Sequence, residues 1–129
     1  MLHRIKHHLN HHLHKHTISF VHAFEGIYWA FTTQPNYRIH ITLSIFAIIA
    51  GSLLHIKLYE WLVIILLITL GLVIETINSA FEQALDCVSH EVRSDIKIAK
   101  DAAAGAMLLF AIGSVVMAVV IFLPYFQYR

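Results

Sequence analysis

Four apolar stretches run along the chain, separated by short polar breaks. The first, residues 17–33 (TISFVHAFEGIYWAFTT), mixes Phe20, Phe24, Ile27, Trp29 and Phe31 with His22, Glu25 and threonines. That mixture and the short length predict an amphipathic helix lying on a membrane surface, with Tyr28 and Trp29 suited to the headgroup zone. Pro35 pushes the residue before it out of helical space, so a bend is expected at Gln34–Pro35. The other three stretches predict membrane-spanning helices at about 39–55, 59–88 and 95–123. A span needs roughly 20 mostly apolar residues, with about 17 a lower limit. The first of the three sits at that limit. The second is apolar from Tyr59 through Ile74 and reaches full length only by continuing past Glu75, which the absence of Pro and Gly from residues 72–88 permits. The third is apolar from about Ala102 to Leu123.

Composition agrees with an all-α membrane protein of one domain. The chain is 58% hydrophobic and 13% charged, where soluble domains run at about 45–50% and about 25%. The net charge of +1 implies no polyanionic partner, and nothing resembles a nucleic-acid-binding motif. A single cysteine, Cys87, excludes an intrachain disulfide framework and reads as a small apolar filler near a helix end. Residues 1–16 form a separate His-rich segment holding seven of the eleven histidines. It reads as a metal-binding tract, since His7 and His11 or His8 and His12 share a helical face, or as an interfacial segment that gains charge at acidic pH. No apolar core follows it within signal-peptide range. Arg4, Lys6, Lys15, Arg38, Arg93, Lys97 and Lys100 lie on one side of the spans and only Lys57 and Arg129 on the other. The positive-inside rule therefore places the amino terminus and the 89–100 loop in the cytoplasm.

The second span ends in VIETINSAFEQALD, residues 73–86. At about 100° per residue, Glu75, Ser79, Glu82 and Asp86 fall in one narrow stripe, flanked by Asn78. Ile74, Ile77, Phe81, Leu85 and Val88 take the other side. An ionised group in hydrocarbon costs at least ~2.5–3.5 kcal/mol at the bilayer centre, so this stripe is expected to face a bundle interior, paired with cations or a metal. The complement comes from SDIKIAKDAAAGA, residues 94–106, with Lys97, Lys100 and Asp101 at the start of the third span. Its alanines and Gly105 suit close helix approach. Lys100 is placed to neutralise phosphate oxygens and Glu82 to hold Mg²⁺, which prefers one or two carboxylates plus substrate phosphates. Glu75, nearer the membrane, is placed to accept a proton from a lipid hydroxyl. A base, a metal and fixed positive charge are what phosphoryl transfer requires. There is no GxxxxGK[ST] or GxGxxG loop, so a nucleotide site must be built another way.

The spaced string E-x-x-N-S-A-x-E-x-x-x-D at 75–86, followed by A-K-D-x-A-A-G-A at 99–106, resembles the small prokaryotic diacylglycerol kinases, a family that includes undecaprenol kinase. The resemblance extends through AFEGIYWAF at 23–31, NYRIH at 36–40 and the three spans. It implies a homotrimer of three-span protomers in the bacterial inner membrane, with ATP and Mg²⁺ bound at active sites on the cytoplasmic surface shared between subunits. It implies a catalytic base at Glu75, an active-site asparagine at Asn78 and a metal-binding, nucleotide-side glutamate at Glu82. Asp86, Glu91, Lys100 and Asp101 match nucleotide-side positions, with Lys100 toward the phosphates. Arg38 matches an arginine near the lipid entrance. A second metal-binding glutamate of the family is replaced by Gln34, whose amide oxygen can ligate Mg²⁺ but brings no charge. The RIH and KDAAAGA forms look closer to the undecaprenol-kinase branch, so undecaprenol is the favoured acceptor, with diacylglycerol the other. The residues leave two further readings open: a non-enzymatic bundle subunit whose carboxylates relay protons or stabilise assembly, and a metal transporter using the histidine tract.

Overall fold

The computed structural model describes residues 19–88 and 93–127, and the His-rich segment 1–16 lies outside them. The described residues form four helices, α1 over 19–33, α2 Pro35–Leu54, α3 Leu58–Val88 and α4 Ser94–Gln127. The last three are long and apolar enough to cross a membrane. The chain is a membrane protein of all-α fold. It divides into two units, Met1–Gln34 and Pro35–Arg129.

In the first unit, α1 leaves Phe20, Phe24 and Tyr28 exposed, while His22 pairs with Glu25 at 2.8 Å. The Thr32 and Thr33 hydroxyls donate to the Tyr28 and Trp29 carbonyls at 2.8 Å each. Such back-bonding at i−4 satisfies a hydroxyl without help from water. The helix is interrupted at Gln34, where the proline requires it.

In the second unit, α2 starts at Pro35 rather than near residue 39, because proline fits the first helical position, where its missing N–H has no partner to lose. Four residues gained at this end and one lost at the other bring the span to 20, a comfortable crossing length. It closes in a left-handed residue, His55 (φ 51°), and Ile56 N–H reaches back to the Gly51 carbonyl at 3.1 Å. This is the Schellman arrangement, in which the residue after the left-handed one also packs on the last turn. Here buried Ile56 lies over Gly51: a methyl there would stand 2.9 Å from Ile56 Cδ1 and 3.1 Å from Trp61. The next helix begins three residues on. Glu60 reaches back to the Lys57 backbone N–H at 2.6 Å, the glutamate half of a capping box. The same carboxylate accepts the Tyr125 hydroxyl of α4 at 2.6 Å, which pins the two helices at this end.

α3 packs against both α2 and α4. A small core of Ile56, Ile64 and Ile121, with Trp61, Val63 and Phe122 around it, lies near the Glu60 end. Along the rest of the bundle large apolar side chains such as Phe46, Leu62, Leu109 and Val120 point outward, as lipid-facing positions must. The hydroxyls of Thr42, Ser44, Thr69 and Thr76 each bond a carbonyl one turn back. α4 runs to Gln127 with Pro124 inside it, past the expected end at 123, because a membrane helix tolerates a proline near its end. Gly105 was expected to bring helices together. It has open space around it within the chain, and Gly71 is the glycine that does so.

A methyl on Gly71 would lie 2.9 Å from Phe110 Cε1, a rigid ring edge, so something must shift. Gly71→Ala is expected to destabilise the protein by about 1–3 kcal/mol through overpacking, read as a lower unfolding temperature in micelles. Gly105→Ala, with nothing near it, should leave that temperature unchanged.

Candidate functional site

α3 continues unbroken from its apolar part through Glu75 to Val88, because no helix breaker intervenes. The continuation carries a polar stripe out of the bilayer-spanning part. Glu75 and Ser79 are 2% exposed and Asn78 is 7% exposed, which makes them the buried polar residues among those described. The stripe turns outward along its length: Glu82 is half-buried and Asp86 is exposed. Ile77, Phe81 and Val88 face away, as the helical spacing predicts. From Glu75 to Asp86 the helix rises about 16 Å, enough to line up a proton acceptor at one end with phosphate-binding groups at the other.

The buried end is not closed upon itself. Oε2 of Glu75 and Oδ1 of Asn78 have no hydrogen-bond partner among the described residues. The Asn78 amide donates to Glu82 Oε1 at 3.4 Å, a long and weak contact. A buried polar oxygen without a partner costs about 1–3 kcal/mol, a cost that water, an ion, a ligand or a neighbouring chain relieves. Glu75, Asn78 and Glu82 together offer hard oxygen donors of the kind Mg²⁺ takes. No group of three or more His, Cys, Asp or Glu converges among the described residues.

α4 brings the cation. Lys100, two-thirds buried, pairs with Asp86 across the α3–α4 boundary. Neither Lys100 nor Asp101 pairs with Glu82, the expected metal ligand. Lys100 meets the acid one turn further along, and Asp101 pairs with Lys97 on its own helix at 2.6 Å. Arg93 closes the start of α4 with two bonds to Asp95, at 2.7 and 3.2 Å. Arg38 is exposed on the first turn of α2, where its carbonyl accepts the Thr42 hydroxyl. Gln34 belongs to the first unit, and its amide donates to Thr33 Oγ1 at 3.3 Å. Glu91 lies outside the described residues. Cys87 is exposed rather than filling a gap. Ser79 carried no role in the sequence reading, yet it is as deeply buried as Glu75; its place on the stripe was the available signal. A larger cavity of about 840 Å³ lies at the opposite end of the bundle, beside Lys57, Glu60 and Tyr125, away from the acid stripe.

Residues 21–122 match the family described as prokaryotic diacylglycerol kinase. The undecaprenol kinase of Bacillus subtilis (strain 168) is 38% identical over 106 residues, covering 82% of this chain and 86% of that protein. A diacylglycerol kinase of Synechocystis is 40% identical over 108 residues, covering 83% of this chain and 62% of that protein, so the chain spans less than two thirds of that relative. A diacylglycerol kinase of Helicobacter pylori (strain J99) is 35% identical over 85 residues, 66% of each chain.

The Lys100–Asp86 pair is partly exposed, with side chains 33% and 51% accessible. Exposed pairs contribute about 0–1 kcal/mol. A double-mutant cycle of Asp86→Asn and Lys100→Gln, read by unfolding in micelles, is therefore expected to give a coupling below about 1 kcal/mol, shrinking with added salt. A larger value would mark the pair as structural.

Proposed function

The chain belongs to the prokaryotic diacylglycerol kinase family and is a lipid kinase, and we propose that it transfers the γ-phosphoryl group of ATP to the primary hydroxyl of a membrane lipid alcohol, undecaprenol in preference to diacylglycerol. The relatives divide between the two acceptors by name. The match to the undecaprenol kinase covers most of both chains, which supports the first. One observation carries the mechanism: a nearly inaccessible glutamate, Glu75, with a partnerless oxygen, at the membrane end of a polar stripe whose far end meets a lysine of the neighbouring helix.

In the proposed reaction Glu75 takes the proton from the lipid hydroxyl as that oxygen attacks the γ-phosphorus, and ADP leaves. Asn78 orients the reacting groups beside it. Glu82 would hold Mg²⁺ together with phosphate oxygens, and Gln34 would offer it a weaker, uncharged ligand. When bound, the ion neutralises phosphate charge that would repel the incoming oxygen. Lys100 has three donors on its ammonium and only one is needed for Asp86, so the others are free for phosphate oxygens. Asp86, Glu91 and Asp101 complete the nucleotide side, and Arg38 stands at the lipid entrance. The amino terminus and the site face the cytoplasm of the bacterial inner membrane, where ATP is held, and three protomers share their sites.

The test is transfer of labelled γ-phosphate from ATP to undecaprenol or diacylglycerol in mixed micelles. Glu75→Gln keeps the shape and removes the base, and is expected to lower turnover at least about 100-fold with helix content unchanged. Wild-type turnover in that variant would remove Glu75 from the chemistry. A second measurement concerns Gln34. Gln34→Glu restores a charged oxygen and is expected to lower the Mg²⁺ concentration for half-maximal rate; an unmoved titration would show that Gln34 does not touch the metal.

A further inference from the structure

Measured from the turn at residues 55–57 that joins α2 to α3, His40 and Gly71 sit at the same depth, each about 20 Å along its helix. The two helices pack on each other and, joined by so short a turn, run antiparallel. They meet at these residues: a methyl on Gly71 would stand 3.8 Å from His40 Nδ1. The Phe110 ring edge of α4 lies 2.9 Å from the same point. Glu75 follows Gly71 by one turn on the same face of α3, a rise of about 6 Å. A helical side chain leans toward the N-terminus of its own helix and covers the preceding turn. In an antiparallel pair that rule sends His40 and Glu75 toward each other across Gly71, which has no side chain to separate them. His40 is half-buried, and Oε2 of the buried Glu75 has no partner among the described residues.

We propose that His40 is a positioning residue for the base: with its proton on Nδ1, the neutral imidazole turns to donate to one oxygen of the Glu75 carboxylate and so aims the other at the lipid hydroxyl. This rests on the kinase reading above and deepens it. Burial fixes the depth of a carboxylate but not its orientation. On its own helix, Asn78 turns its amide to Glu82, and from α4 the Phe110 ring edge offers no N–H or O–H donor. The imidazole of α2 does offer one. An ionised carboxylate accepts at both oxygens, so one bond to His40 leaves capacity for the hydroxyl's proton. A hydrogen bond to an ionised acceptor is stronger than one between neutral groups. Bonds of this kind are often open before substrate binds and tighten in the complex.

The test uses the full-length protein in micelles and three substitutions at one position. His40→Leu keeps the bulk and removes the donor. It is expected to lower kcat about tenfold or more, the scale of one lost hydrogen bond to a charged group, with KM for Mg-ATP kept. His40→Gln folds with a polar side chain but carries its amide at the Nε2 position, and should share the loss. His40→Asn places an amide N–H where Nδ1 stood and should recover most of it. In the Glu75→Gln background, His40→Leu should cost nothing further, because the group it orients is gone. A loss that adds in full to that of Glu75→Gln, turnover unchanged in both His40→Leu and His40→Gln, or His40→Asn as impaired as these two would overturn the proposal. The carboxylate band of Glu75, isolated as the infrared difference between wild type and Glu75→Gln, gives a readout that does not depend on turnover. It is expected to shift in His40→Gln and hold in His40→Asn, and a band unmoved in both would also overturn the proposal. Absence of phosphoryl transfer to any lipid alcohol by the wild type would instead sink the kinase reading and leave the infrared shift standing.

Discussion

Burying the Glu75 carboxyl inside a membrane bundle is the constraint around which the rest of the chain is arranged. A carboxyl facing hydrocarbon would be expelled or would pull the helix out of the bilayer. α3 solves this by putting the acid on the face that α2 and α4 cover, together with Asn78 and Ser79. The arrangement then demands length. A helix that ended at Ile74 would sit at the lower limit for a span and would leave the acid at a frayed end, whereas α3 joins the apolar and polar parts in one uninterrupted helix. α3 therefore serves as both membrane span and site, and the other two long helices lean on it.

The two ends of that helix are built on opposite physical terms. At the Glu60 end one carboxylate caps its own helix and accepts the Tyr125 hydroxyl, and the nearby isoleucines form the densest apolar packing. At the Glu75 end, oxygens of Glu75 and Asn78 lack partners among the described residues, and the interhelical contact is an accessible ion pair. The apolar packing and the unmet hydrogen-bonding capacity thus lie at opposite ends of one helix.

Much of this was legible in the residues. The period of 3.6 places Glu75, Ser79, Glu82 and Asp86 on one stripe, and the same arithmetic sends Ile77, Phe81 and Val88 outward, as found. The break before Pro35 was legible because proline acts on its immediate neighbour. What escaped was anything set by tertiary contact. Which acid Lys100 meets depends on the axial offset between α3 and α4, and no spacing within one helix encodes it. The role of Gly71 depends on Phe110 arriving from a different helix, whereas Gly105, in a run of small residues, looked the better candidate and meets nothing in the chain. Helix ends also moved: Pro35 starts α2 and Pro124 sits within α4, since a proline's effect depends on whether its position needs an N–H donor.

Under the proposed mechanism, the contrast between Glu75 and Lys100 matches what a base and a phosphate-binding lysine each require in a phosphotransfer cycle. A base must meet a hydroxyl that lives in the bilayer, so it has to be held at depth, where water does not compete and its position is fixed by packing. A phosphate-binding lysine must meet a soluble, highly charged nucleotide and release it again each turnover. A deeply buried ion pair would cost several kcal/mol to break, whereas a partly exposed one is exchanged cheaply for phosphate oxygens. Asp86 thus keeps the Lys100 ammonium at the mouth of the stripe without locking it. In that proposal one helix serves both ends because its polar stripe changes from buried to exposed over about three turns of a single rigid element.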